Sequence, residues 1–167
     1  MPSGSMNTLI LLTGTNMGNR LKNMNIASHL IAEQIGSIRK YSQLYVTEPW
    51  GNYNQPDFIN QVIITETTLS APDCLAKILE IEKRMGRVRT IKNAPRFIDI
   101  DILFYNDEIL KMPSLTIPHP EIENRRFVLT PLDEVCPEFI HPGLQESAHV
   151  LLLKCKDPLS VREWDEK

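Results

Sequence analysis

Phe97-Ile98-Asp99-Ile100-Asp101-Ile102-Leu103-Phe104-Tyr105 is the most apolar β-branched and aromatic run in the chain, and two acids sit inside it. Such a run predicts a strand. Successive strand side chains point to opposite faces, which puts Ile98, Ile100, Ile102 and Phe104 on one face and Asp99 and Asp101 on the other. The isoleucine face is core. Asp is depleted in strands, and two of them flanked by Phe97 and Leu103 make a poor solvated surface, so the second face reads as a site. One full pleat sets the acids' Cβ atoms about 6 to 7 Å apart. That spacing suits carboxylates turned onto one or two hard cations. Mg²⁺ is commonly held by one or two carboxylates with waters and substrate phosphates, and paired metals sit about 3.5 to 4 Å apart.

Immediately upstream, Lys83 to Arg96 holds six of the chain's 18 Lys and Arg residues: Lys83, Arg84, Arg87, Arg89, Lys92 and Arg96. Cations that grip oxygens beside carboxylates that hold Mg²⁺ are the parts of phosphoryl transfer. The plain alternative is a solvated basic turn. Further back, Ser70-Ala71-Pro72-Asp73 has capping-box spacing with Pro in the first turn, and opens a helix carrying Leu75, Ile78, Leu79 and Met85 inward to a stop at Gly86. Phe58 to Thr68 reads as a strand, and Thr47 to Pro56 is loop. Ile38 to Val46 reads as one further strand. A helix spans Arg20 to Ile35, with Leu21, Met24, Ala27, Ile31 and Ile35 at helical spacing and Gly36 ending it. Thr8 to Thr13 is a buried first strand closed by Gly14.

The order β-α-β-β-α-β is that of the ferredoxin-like split unit, an α+β sandwich, here with a C-terminal extension. In the extension, Asp107 to Leu110 reads as a hairpin return and Leu115 to Pro120 as extended loop. Asn124 to Val135 reads as a short helix interrupted by Pro131, and Leu144 to Lys154 as an amphipathic segment. Met1-Pro2-Ser3-Gly4-Ser5 reads as a cloning remnant ahead of a native Met6, so residues 6–167 form one expected domain. A chain of 167 residues is long enough to bury a core without staples. Its net charge of −3 announces neither nucleic acid nor an anionic membrane as partner. Cys74, Cys136 and Cys155 are odd in number and lack C-x-x-C spacing, which argues against a disulfide framework or a structural zinc and for reduced thiols in the cytoplasm. No apolar run approaches bilayer length.

Ala94-Pro95-Arg96-Phe97-Ile98-Asp99-Ile100-Asp101-Ile102-Leu103, preceded by Gly86-Arg87-Val88-Arg89, closely resembles the signature of the 6-hydroxymethyl-7,8-dihydropterin pyrophosphokinases of folate biosynthesis. The likeness extends through Gly14-Thr15-Asn16, Tyr45 to Gly51, Gln55 to Asn60, Leu115 to His119 and Asn124 to Phe127. The resemblance implies transfer of a pyrophosphoryl group from ATP to the hydroxymethyl oxygen of the reduced pterin, leaving AMP. It implies two Mg²⁺ ions on Asp99 and Asp101, and triphosphate contacts from Arg87 and Arg96, with Arg89 in the same loop. Phe58 and Phe127 fall where the ring is sandwiched, Asn60 where its edge is read, and Thr47 and Trp50 where loop backbone lines the slot. Glu82, Ile102, Thr116 and His119 match positions near the nucleotide, and Arg125 one near the phosphates. Taken without the resemblance, Phe58 and Phe127 are ordinary core candidates, His119 a loop residue and Glu82 a helix-end residue beside Lys83 and Arg84. A monomer is expected, with small-molecule substrates only. Two other readings stay open: another Mg²⁺-dependent Asp-x-Asp transferase, which would release pyrophosphate or a nucleoside diphosphate instead of AMP, and a non-catalytic ferredoxin-like ligand-binding module.

Overall fold

The computed structural model describes residues 6–51, 54–86 and 96–165. The expected remnant at 1–5 and most of the basic loop, with Arg87, Arg89 and Lys92, lie outside them.

In chain order the elements are β1 (Asn7–Thr15), α1 (Arg20–Gln34), β2 (Ser37–Tyr41), β3 (Tyr45–Thr47), β4 (Phe58–Thr67), α2 (Ala71–Arg84) and β5 (Asp99–Tyr105). After β5 come β6 (Leu110–Met112), β7 (Leu115–Ile117), a 3₁₀ turn (Ile122–Asn124), α3 (Arg126–Val135), α4 (Ala148–Lys154) and β8 (Val161–Glu163). The sheet runs β5-β1-β4-β3-β8, with β2 also pairing β4, and its strand pairs are antiparallel. This is the ferredoxin-like α+β sandwich, and the C-terminal extension adds a third layer. Leu9, Leu11, Ile59, Ile63, Ile100 and Ile102 bury one face against α1 and α2. Ile10, Leu12, Val62, Leu103 and Phe104 bury the other against α3 and α4.

Local chemistry starts the two long helices where the sequence predicts. Asn19 Oδ1 accepts from Lys22 N at 3.0 Å, and Ser70 Oγ accepts from Asp73 N at 3.2 Å. The inward stripe of α2 differs from expectation. Ile78 is buried together with Cys74, Ile81 and Glu82, and Leu75 and Met85 pack partly buried against the same core as expected, but Leu79 is 42% exposed. Leu79 lies one residue, about 100° of helix rotation, beyond Ile78.

Several other expectations are corrected. The predicted strand Ile38 to Val46 is two strands, because Ser42 leaves the ladder: its N donates to Val62 O at 2.9 Å and its Oγ accepts from Val62 N at 2.9 Å. Gly14 does not close β1 but sits inside it, paired with Asn60 on one side and Asp99 on the other. The strand Phe97 to Tyr105 begins only at Asp99, and Phe104 is not on the isoleucine face. The β1–β5 register slips between Ile10 and Leu11, where Ile10 faces Phe104 and Leu11 faces Ile102. Leu103 is thus the extra residue of a bulge, after which Phe104 joins the α3/α4 core and Tyr105 the α1/α2 core. Leu110 does not return onto β5 but opens the β6–β7 hairpin, pairing with Ile117, so Leu115 to Ile117 is strand where loop was predicted. Helix α3 runs through Pro131 without interruption, carrying Val128, Leu129, Leu132 and Val135 into the core. Leu144 lies before α4 and is 41% exposed. Strand β8 has no counterpart in the sequence reading.

Candidate active site

The bulge and the pleat together build one pocket at the α3 end of the sheet. Leu12 and Gly14 of β1, Phe58 and Asn60 of β4, and Asp99 and Asp101 of β5 alternate onto the same face, and all six line it. Thr47 closes β3, and Glu48, Trp50 and Gln55 from the following loop form a side wall. Arg96 leads into β5, and Arg125 and Phe127 flank the start of α3. The five residues expected around the pterin (Thr47, Trp50, Phe58, Asn60 and Phe127) therefore share one pocket with Arg96, Asp99, Asp101 and Arg125.

The polar edge of this pocket is fixed by a buried pair. Asn60 Nδ2 donates to Thr47 Oγ1 at 2.6 Å, which leaves Asn60 Oδ1 directed over the backbone of Gly14. An added Cβ at Gly14 would come within 2.3 Å of that oxygen. Only a residue without a side chain fits there, the usual reason for Gly inside a strand.

The cationic end is held as firmly. Arg96 Nη1 meets Asp99 Oδ2 at 3.2 Å, with both side chains about four-fifths buried (18% and 19% exposed). The Arg96 guanidinium lies 5.6 Å from the Phe58 ring centre. Asn16 clamps the Arg96 backbone: its N donates to Arg96 O at 3.2 Å and its Oδ1 accepts from Arg96 N at 2.9 Å. Asn16 Nδ2 reaches across to Gln55 Oε1 at 2.8 Å and Pro56 O at 3.0 Å, tying the arginine to the side wall. Arg125 stacks 4.6 Å from Trp50 and 6.0 Å from Phe127. Its Nε is buried and makes no hydrogen bond among the described residues. A buried donor in that state calls for an acceptor beyond the described residues.

The other predicted nucleotide residues stand apart from the pocket lining. Glu82 is 2% exposed, and its Oε2 accepts from Ile100 N at 2.8 Å, capping an outward N–H of the edge strand β5. Ile102 is buried in the α1/α2 core, and Thr116 is exposed on β7 opposite Lys111. His119 is half-buried, with its N donating to Leu103 O at 3.0 Å. Burial pulls its pKa down, Arg125 adds to the fall, and the Pro120 carbonyl, Asp99 and Glu121 oppose it. Arg87 lies outside the described residues. Gln55, Glu48, Leu12 and Gly14 line the pocket without having been assigned a role from sequence. Gly14, Glu48 and Gln55 stood inside quoted motifs, but nothing in a lone polar or glycine residue announces which pocket it will line.

An aromatic slot ending in two carboxylates and two guanidiniums has the shape and charge to take a flat heterocycle beside an anionic group. The family model for 7,8-dihydro-6-hydroxymethylpterin-pyrophosphokinase (HPPK) matches residues 10–137. Over 137 residues the chain is 40% identical to the 2-amino-4-hydroxy-6-hydroxymethyldihydropteridine pyrophosphokinase of Aquifex aeolicus, covering 82% of this chain and 85% of that protein. The Bacillus subtilis pyrophosphokinase is 33% identical over 162 residues, with 96% and 92% covered. The Dictyostelium discoideum folic acid synthesis protein FOL1 is 41% identical over 138 residues, which make up 83% of this chain but 21% of that one. A Plasmodium falciparum HPPK-DHPS crystal structure superposes with a TM-score of 0.76 at 20% identity, over 92% of this chain and 46% of that chain, a likeness of fold. The chain belongs to the HPPK family. It is a transferase that moves pyrophosphate from ATP to the hydroxymethyl group of 6-hydroxymethyl-7,8-dihydropterin in folate biosynthesis.

Proposed function

We propose that this transfer takes place in the pocket between Trp50, Phe58 and Phe127, with the pterin between the aromatic rings and its hydroxymethyl arm directed at Asp99 and Asp101. The observation that carries the reading is the single lining that unites the aromatic walls, the Asn60–Thr47 pair, two acids and two arginines. A pterin edge carries donors and acceptors side by side, and Asn60 Oδ1 offers it an acceptor while Nδ2 donates to Thr47. The ring faces add stacking.

Asp99 and Asp101 are the residues that would hold Mg²⁺, two ions in our reading. Among the described residues no group of three or more His, Cys, Asp or Glu could bind a metal by itself, so this pair fits a cation whose remaining ligands are phosphate oxygens and water. When bound, the metal supplies charge neutralisation to the phosphates. Arg96, already oriented by Asp99, Asn16 and Phe58, offers its remaining donors to phosphate oxygens, and Arg125 Nε is placed to do the same. Arg87 would join from the neighbouring loop. Attack by the hydroxymethyl oxygen at the β-phosphorus then depends on positioning and on preset charge, with AMP as leaving group. We assign no side chain as general base.

We further place the enzyme in the cytoplasm as a monomer. What supports the compartment is that Cys74, Cys136 and Cys155 are all free thiols. The test of the whole reading is product analysis with ATP, Mg²⁺ and the reduced pterin. Appearance of AMP with the pterin diphosphate is expected, and release of inorganic pyrophosphate or ADP would refute it.

A further inference from the structure

Residues 155–165 lie beyond the segment that the family model matches, yet they are bonded to the walls of the pocket on two sides. On one side stands Arg126, between the pocket residues Arg125 and Phe127. Its Nη2 donates to Cys155 O at 2.9 Å and its Nε to Asp157 O at 3.0 Å. Its backbone N donates to Asp157 Oδ2 at 3.0 Å. Helix α3 begins at Arg126, and Arg125 before it makes no capping bond with its own side chain. The cap therefore comes from 31 residues away in sequence. A carboxylate at a helix N-terminus is favoured both by the free N–H groups and by the helix dipole. Asp157 Oδ1 accepts from Leu159 N at 3.0 Å, so the carboxylate is itself held in place by its own turn.

On the other side, Ser160 N donates to Glu48 Oε1 at 2.6 Å and Glu48 N donates to Ser160 O at 3.2 Å. Val161 of β8 pairs with Thr47, whose hydroxyl holds Asn60. Trp164 N donates to Leu44 O at 2.8 Å, and Arg20 stacks 5.4 Å from the Trp164 ring while its Nη1 donates to Asp57 O, next to Phe58. The segment thus joins the Phe127 wall to the Thr47–Glu48 wall and braces the strand that carries Phe58.

We propose that Asp157 is a positioning residue for the pterin slot: it fixes the first turn of α3, and with it Arg125 and Phe127, at a set distance from the wall that β8 holds. Asp157 itself does not line the pocket. This rests on the reading that the slot takes the pterin. Loss of the cap lets the first turn of α3 open, and apparent affinity falls by the fraction of molecules that keep the wall in place.

The experiment compares full-length wild type, Asp157→Ala and Asp157→Asn by titration with 6-hydroxymethyl-7,8-dihydropterin, by titration with a non-hydrolysable ATP analogue and Mg²⁺, and by melting temperature. Asp157→Ala should raise the pterin Kd about five- to tenfold, from the typical loss on removing a cap, while the nucleotide Kd, which depends on this wall through Arg125 alone, should rise less. Asp157→Asn retains a carbonyl oxygen for Arg126 N and should recover most of the affinity. An unchanged pterin Kd in Asp157→Ala overturns the proposal. So does an equal rise in both Kd values that Asp157→Asn does not rescue, since that marks a purely structural residue. If Asp157→Ala does not fold, Asp157→Ser, whose oxygen stands one bond further from Arg126 N, takes its place: a selective rise in pterin Kd supports the assignment, and wild-type affinity refutes it. Wild type that fails to bind the pterin at all would overturn the functional reading and this inference with it.

Discussion

Replacing Gly14 by Ala tests the geometry of the slot with one methyl group. The new Cβ would stand 2.3 Å from Asn60 Oδ1, 3.3 Å from Asn60 Cγ and 3.6 Å from Ile59 O. Comfortable heavy-atom contact is about 3.5 to 4.0 Å, so the Asn60 amide has to swing away. Asn60 is 5% exposed and Thr47 2%, and the swing breaks their 2.6 Å bond where water does not readily replace it. A broken buried hydrogen bond with its donor left unsatisfied costs about 1 to 3 kcal/mol. Gly→Ala alone would stabilise by about 0.4 to 1 kcal/mol through the unfolded chain. The clash wins, for a net loss of about 1 to 2 kcal/mol, or a fall of roughly 2 to 8 °C in Tm at this chain length. The pterin Kd should rise at least about tenfold, equivalent to about 1.4 kcal/mol, because the displaced amide is the one expected to read the ring edge. ATP-analogue affinity should hold. Thermal melts and pterin titration measure both effects, and in Gly14→Ala combined with Asn60→Ala the two stability losses should be strongly non-additive. A Gly14→Ala protein that melts at or above the wild-type temperature with unaltered pterin affinity would refute the reasoning.

The remaining predictions concern the acids, the aromatic wall and a buried histidine. Asp101→Asn preserves shape and leaves the Arg96–Asp99 pair in place; AMP formation should drop by about a thousandfold, on the scale of losing a charge-stabilising group, and Mg²⁺ with an ATP analogue should raise Tm less than in wild type. Phe127→Ala should raise the pterin Kd by about tenfold or more, from lost stacking of about 0.5 to 1.5 kcal/mol plus lost contact area, and an equal fall in ATP-analogue affinity would mark Phe127 as structural. His141 is 8% exposed, and its Nδ1 accepts from Gly143 N at 3.1 Å and Leu144 N at 3.0 Å. Burial lowers its pKa, so below about pH 6.5, the unfolded value, the unfolded chain binds more protons and stability falls as pH falls. His119, also lowered by burial, acts in the same direction. Tm measured between pH 7.5 and 5.5 should decline, and His141→Gln should flatten the decline; an unchanged slope would show that the imidazole is not responsible.

What the sequence makes legible follows from whether the deciding contact is local. Helices α1 and α2 can be read because Asn19 and Ser70 cap within three residues and the apolar stripe repeats every turn. The residues that line the pocket can be picked out because they stand in short specific motifs, although what unites Phe58 with Phe127 is a meeting of β4 and α3 that no local pattern encodes. Glu82 shows the opposite case. Beside Lys83 and Arg84 it looks like a solvated helix end or a nucleotide contact, yet it is buried because β5, an edge strand, has an N–H at Ile100 that needs an acceptor. Strand β8 is invisible for a similar reason. Three residues, Val161-Arg162-Glu163, carry no apolar alternation, and their strand character comes from the unpaired edge of β3 that they cover.

The bulge at Leu103 marks where local reading fails and also why the site exists. Strict alternation along Asp99 to Tyr105 assigns Phe104 to the isoleucine face, and the assignment is sound until one residue is inserted against Ile10 and Leu11. With the insertion, Leu103 and Phe104 both enter the α3/α4 core, and Phe104 packs 4.6 Å from Phe139 and edge-on to His141 at 5.6 Å. That apolar block, beginning one pleat beyond Asp101, anchors the third layer against the sheet, and the N-terminus of α3 then carries Arg125 and Phe127 out over the two acids. Bulges are common where a strand must redirect side chains beside an active site. Here the acids remain on a regular stretch of strand, in register with Gly14 and Leu12, while the irregularity is confined to the residues that hold the opposite wall.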